Sequence, residues 1–230
     1  MGPVRGTVDV VEAFRVESGA FVDALGRLPQ DAWGLPTRCT PWSVAGVVGH
    51  VVTTVGRVPG MVDAPAPLGA EVTSVSYYRA DARFSQGSNE QRVRDAATRA
   101  DASSAGKRAL ADELDRTAAQ VVMACGGQAD GRVVRTRHGD AMLLSEFMVT
   151  RVFETALHGI DVADAVGQPA WVTQPALRVL VAMLFERPDA AHALGWAPDV
   201  LLRRATGRSE VGSSDRELLT GCGLRDLALG

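Results

Sequence analysis

The segment 140–166 places four ionisable side chains where a helix of this kind should bury its seam. At 100° per residue, Leu143, Phe147, Arg151, Glu154, His158, Asp161 and Ala165 share an arc of about 80°. Leu143, Phe147 and Ala165 mark that arc as core-facing, yet its middle holds Arg151, Glu154, His158 and Asp161. Val152, Phe153, Ala156 and Ile160 occupy the other faces, so the helix is apolar nearly all round and is predicted to be central. A lone buried charge costs several kcal/mol. The fold must therefore give these four groups partners, either one another or a metal ion.

The rest of the chain reads as helices to pack around this one. Residues 8–28 carry Val11, Phe14, Phe21, Leu25 and Leu28 at helical spacing, with Thr7 as expected cap and Pro29 as stop. After a loop over 29–40, Thr40 and Pro41 predict the cap and first residue of a second helix, which runs along a valine stripe to about Pro59–Gly60. Residues 62–75 read as loop and 76–86 as a helical continuation. Residues 90–124 read as a third long helix with a break near Ser103–Gly106, and 133–137 as a short extended connector. Gly167–Pro169 ends the 140–166 helix, and shorter helices are expected over 174–186, 200–205 and 215–220. The expected fold is all-α: a four-helix bundle over 1–170, with one long crossover between its second and third helices, and a short helical C-terminal extension over 171–230 packed on it.

Composition removes several classes of function. The 230 residues are 46% hydrophobic and 22% charged, which suits a folded domain. The net charge is −3 and no arginine run exceeds two residues, so no nucleic-acid groove is expected. No stretch of 18 consecutive apolar residues predicts a membrane span, and no secretory h-region is visible. Cys39, Cys125 and Cys222 are scattered and odd in number, a poor disulfide framework. A reduced, cytoplasmic protein is expected, with each cysteine acting as a small buried hydrophobe. Lys107 is the one lysine among 24 basic residues, which points to a high-GC bacterial source.

Glu154 and His158 stand at i, i+4, so both side chains can converge on one ion, the geometry that helical zinc motifs use. The same spacing is also a common helical side-chain pair. His50 is the best third ligand: it flanks the valine stripe, and Gly46, Thr53 and Thr54 around it leave room for a neighbour. A half-exposed histidine bonded to a carbonyl is the equal alternative at this point. His138 and His192 are expected at the surface.

The stretch Thr37-Arg-Cys-Thr-Pro-Trp-Ser-Val-Ala-Gly-Val-Val-Gly-His50 resembles the N-terminal signature of the mycothiol-dependent maleylpyruvate isomerase family, one of the DinB-like metal-binding bundles. Arg151-Val-Phe-Glu154-Thr-Ala-Leu-His158-Gly-Ile-Asp161, continuing to Gly167, resembles its second signature, and Arg203 to Arg208, with Thr206-Gly-Arg208, resembles a recurring C-terminal element of its shorter members. The resemblance implies a divalent metal, zinc first and nickel or iron next, on His50, Glu154 and His158. It implies mycothiol, an actinobacterial thiol, as cosubstrate. Asp161 then reads as the acceptor for the free N–H of His158, and Arg151 as partner of Glu154 or of a substrate carboxylate. An arginine of the middle segment binds substrate in the family, and Arg79 and Arg83 are the candidates here. The founding isomerase carries a larger C-terminal domain, for which the tail of this chain is expected to be too short.

The resulting expectation is a metal- and thiol-dependent isomerase or S-transferase acting on a small electrophile, as monomer or homodimer. A thiol-independent metal-bundle enzyme and a non-catalytic, metal-stabilised binding module are the alternatives. Cys39, near the start of the second helix, is not needed as nucleophile.

Overall fold

The computed structural model describes residues 6–79, 86–102 and 109–228. Four helices form the bundle: α1 (Thr7–Gly26), α2 (Val44–Val55), α6 (Ala109–Cys125) and α7 (Leu144–Ala165). Both α1 and α2 pack against both α6 and α7, so α1 and α2 lie on one diagonal. The core runs down the middle through Phe14, Phe21, Val47, Val51, Leu114, Val121, Met148 and Val152, all buried. The connection from α2 to α6 is the long crossover. It carries α3 (Val58–Asp63), α4 (Ser74–Tyr77) and α5 (Gln86–Ala102), and α5 packs on the outside of α2.

The expected third helix is two helices, α5 and α6, and its expected break falls in 103–108, outside the described residues. Two other boundaries move for identifiable reasons. The second helix starts at Val44, not Pro41, because the Ser43 side chain accepts the Gly46 N–H and caps it. Residues 35–44 instead close a small loop, in which Thr37 donates its N–H and hydroxyl to Trp42 O, and Val44 N–H bonds Leu35 O. Pro59, expected to stop that helix, opens α3 instead; it sits in the first turn, where its missing N–H costs nothing. At α1, Thr7 is inside the helix and its N–H is taken by Asp130 Oδ1 at 2.9 Å, a cap supplied from 123 residues away.

The extended connector is real: β1 (Val133–Arg135) pairs antiparallel with β2 (Ala141–Leu143), and α7 begins directly after β2. Beyond α7, α8 (Gln174–Leu184) packs on α1 and α7. Three short helices follow: α9 (Pro188–Ala193), α10 (Pro198–Ala205) and α11 (Ser213–Gly221). Among the described residues no helix is long and apolar enough to cross a membrane.

Candidate metal centre

The inward arc of α7 meets the C-terminal half of the loop 35–44 and the middle of α2. His50 projects from α2 and is 8% exposed. Its Nε2 lies 3.4 Å from Glu154 Oε2, and His158 Nε2 lies 3.3 Å from the same oxygen. One carboxylate oxygen thus faces two imidazole nitrogens, and the three ligand atoms all lie within 4.8 Å of one another. A tetrahedral ion with bonds of about 2.1 Å needs neighbouring ligand atoms about 3.4 Å apart. The donor set and its spacing therefore fit one zinc-sized ion with a coordination position left over.

The histidine and glutamate orientations are held from outside the cluster. Trp42 stacks on His50 with ring centroids 4.6 Å apart and 28° between planes. Gly46, one turn before His50, permits this, since a Cβ there would sit 3.1 Å from the Trp42 Cβ. The other oxygen of Glu154, Oε1, accepts the Tyr78 hydroxyl at 2.8 Å. Tyr78 follows α4, whose N-terminus is pinned to α7 by the Ser74 N–H on Glu146 Oε2 at 2.7 Å. His158 Nδ1 faces Asp161 Oδ2 at 3.1 Å. With Nδ1–H donated there, Nε2 keeps its lone pair for the ion, the arrangement in which an outer carboxylate sets the tautomer of a ligand.

The electrostatics follow from these contacts. Burial pushes the His50 imidazole down to about 4, against the pull of Glu154, so it is neutral. Burial alone would raise Glu154, but hydrogen bonds from His158 and His50, then the charges of His158 and Arg151, hold it well below the usual carboxylate range. His158 goes the other way: burial disfavours its charge, and Asp161, Cys39 and Glu154 together hold it well above its ordinary value. Burial also works against ionised Asp161, and His158 and Arg208 overcome it, leaving the carboxylate well below its ordinary value. Burial, then the nearby Glu154 charge, keeps Tyr78 a protonated donor.

A second set of donors, Cys39, His158 and Asp161, also lies within ligand distance. It is the poorer metal site. Arg208 bonds both oxygens of Asp161, at 2.9 Å each, and Arg38 lies 4.0 Å from Oδ1, so two guanidinium groups already occupy and neutralise that carboxylate. Cys39 Sγ donates to Asp161 Oδ2 at 3.3 Å.

Arg151 is 4% exposed and pairs with no carboxylate among the described residues. Its Nε donates to Thr150 Oγ1 at 3.1 Å and its guanidinium lies 4.7 Å from the Phe147 ring centre. The expected pairing with Glu154 is not made. Arg79 is exposed after α4, and among the described residues no hydrogen bond or ion pair joins it to the cluster; Arg83 lies outside the described residues. His192, exposed on α9, donates its Nδ1–H to Pro188 O at 2.8 Å, far in sequence from the cluster. Cys125 and Cys222 are buried. Sequence reasoning missed Tyr78, Arg208 and the placing of Cys39. The Thr206-Gly-Arg208 element was the only signal for Arg208, and no spacing pointed to Tyr78.

The fold and site define a DinB-like helix bundle with a His–Glu–His cluster in its core. Within that class, residues 14–163 match the model of the mycothiol maleylpyruvate isomerase N-terminal domain, and the chain belongs to that family. A solved mycothiol-dependent maleylpyruvate isomerase shares the fold with TM-score 0.63 and 14% identity over 94% of this chain and 97% of that one. A histidine-to-alanine mutant of a mycothiol-dependent maleylpyruvate isomerase aligns with TM-score 0.54 and 14% identity, over 79% of this chain and 71% of that chain. No curated protein matches the sequence. The 97% coverage corrects one expectation: the tail is not too short for the isomerase's C-terminal region, because nearly the whole of that chain has a counterpart here.

Proposed function

We propose that this chain is a metal-dependent enzyme that uses mycothiol as cosubstrate on a small electrophile carrying a carboxylate, as an isomerase or an S-transferase. The observation that supports it most is Glu154 Oε2 facing His50 Nε2 and His158 Nε2 at 3.4 and 3.3 Å, at the edge length of a tetrahedral ion. A divalent metal held by His50, Glu154 and His158 supplies, when bound, a Lewis acid that keeps a thiol sulfur as thiolate at neutral pH.

The chain's own residues prepare that chemistry. Asp161 holds the Nδ1–H of His158 and so aims Nε2 at the ion. Tyr78 occupies Glu154 Oε1 and leaves Oε2 for the histidines. Trp42 covers one face of His50 and shields the cluster from water. The Arg151 guanidinium, buried and paired with no carboxylate among the described residues, offers N–H donors to a substrate carboxylate near the cluster. A thiolate that adds to a conjugated double bond, permits rotation and leaves gives cis–trans isomerisation. One that displaces a leaving group gives S-transfer.

The test is metal content joined to a thiol requirement. Purified protein should carry about one divalent ion per chain by mass spectrometry, and His158→Ala should carry almost none. Equal, near-zero metal in both proteins sinks the metal assignment. Turnover undiminished when thiol is omitted sinks the thiol assignment.

A further inference from the structure

Asp161 lies wholly inside the protein, with 0% of its side chain exposed. A carboxylate so placed needs its charge met and its plane fixed. Arg208 does both: Nε bonds Oδ1 and Nη2 bonds Oδ2, each at 2.9 Å, a two-pronged contact between a side chain 6% exposed and one fully buried. Once the fork sets the carboxylate plane, Oδ2 is left facing His158 Nδ1 at 3.1 Å.

Arg208 reaches the site from the C-terminal segment, 47 residues beyond Asp161, through a local device. Thr206 bonds back to Leu202 O through its hydroxyl, and Gly207 turns the chain with φ +67°, a conformation L side chains rarely adopt. The Arg208 N–H then closes on Arg203 O at 2.7 Å, folding the side chain back over α7. Arg38, from the loop before α2, ties this turn down by donating to Gly207 O at 2.9 Å. A separate contact docks α10 itself: Arg203 pairs with Asp164 on α7 and with Asp199 on its own helix. Two arginines five residues apart thus meet two aspartates three residues apart, but only one of those aspartates touches a candidate ligand.

We propose that Arg208 is a positioning residue of the metal centre: by clamping Asp161 it fixes the tautomer and ring orientation of His158, so that the C-terminal segment completes a site built on α2 and α7. The inference rests on the metal reading above. Arg203 provides the control, because its loss weakens the docking of α10 without touching Asp161.

Zinc affinity is measured by chelator competition for the full chain and for Arg208→Gln, Arg208→Lys and Arg203→Gln. Loss of a partner behind a ligand lowers affinity by about 10- to 100-fold, and that loss is expected for Arg208→Gln. Arg208→Lys, which keeps the charge but not the fork, should recover part of it. Arg203→Gln should bind zinc as the unaltered protein does. The cobalt-substituted proteins give a second readout, since Arg208→Gln should change the d–d absorption and Arg203→Gln should not. Wild-type affinity in Arg208→Gln, or equal losses in the two glutamine variants, overturns the proposal. If the unaltered protein binds no zinc, the metal reading fails, and the clamp is read in the metal-free protein from its hydrogen-bonded His158 Nδ1–H proton by NMR. That resonance should persist in Arg203→Gln and vanish in Arg208→Gln; its persistence in Arg208→Gln overturns the clamp as well.

Discussion

At the scale of single residues, the site is costly to the fold. Arg151 is buried on the core-facing arc of α7, where its Nε donates to the Thr150 hydroxyl and its guanidinium lies over the Phe147 ring. Its charge helps hold Glu154 ionised, but among the described residues no carboxylate pairs with it, and an apolar side chain of similar length would fill the space without desolvating a charge. Arg151→Met should therefore stabilise the metal-loaded protein by about 1–2 kcal/mol, seen as a rise of a few degrees in Tm at about 2–4 °C per kcal/mol. The same variant should lose turnover of a carboxylate-bearing substrate. A fall in Tm would show that Arg151 serves the fold instead. The sequence made part of this legible. Glu154 and His158 sit on one helix at i, i+4, so their convergence follows from helix geometry alone. His50 needed the N-terminal signature to be chosen, because a histidine beside a valine stripe fits two readings equally. Tyr78 was illegible and Arg208 was marked only by the Thr206-Gly-Arg208 element: each meets its partner far along the chain, 76 and 47 residues away, and no periodicity encodes such a contact.

At the scale of elements, propensity placed the helices well and their ends poorly. Thr40-Pro41 has the composition of a helix start, and so does Ser43 three residues later. The structure uses Ser43, since Thr37 ties Trp42 O into the loop and leaves Thr40 outside the helix. That choice also sets the site, because the loop carries Trp42 onto His50 and Cys39 onto Asp161. The two candidates are separable by substitution. Ser43→Ala should cost about 1 kcal/mol in denaturant unfolding, the usual loss for an N-cap. Thr40→Ala, exposed and outside the helix, should stay within about 0.5 kcal/mol of the unaltered protein. The reverse order would restore the helix start at Pro41. The β1–β2 hairpin shows the same limit at the other end of the site, where pairing with Val133 takes Leu143 out of the helix that its side chain's position on the apolar arc suggests.

At the scale of the whole molecule, the described residues hold a second buried polar cluster besides the candidate metal centre. It joins α1 to α8. Glu17, 1% exposed on α1, accepts both the N–H and the hydroxyl of Thr173, the cap of α8, at 2.9 and 2.6 Å through one oxygen. Among the described residues its second oxygen has no hydrogen-bond partner, and neither do the Trp171 indole N–H and the Thr155 hydroxyl. Burial, only partly offset by Thr173, raises the Glu17 carboxyl from 4.5 to about 7. The folded state therefore keeps a proton that the unfolded chain releases above pH 4.5. Wherever the native state binds more protons, stability falls as pH rises, so this group weakens the fold progressively between pH 4.5 and about 7 and by a constant amount beyond. At 1.36 kcal/mol per pKa unit the full loss is about 3 kcal/mol. Glu17→Gln keeps an oxygen for Thr173 and has no proton to lose. Denaturant unfolding of the two proteins at intervals from about pH 5 to 8 should show them close at the acid end and diverging above it, with the glutamine variant more stable by about 3 kcal/mol at the alkaline end. Parallel curves across that range would mean that Glu17 is ionised in the folded protein at neutral pH, its unpaired oxygen hydrated rather than protonated, and that the α1–α8 joint is held by charge.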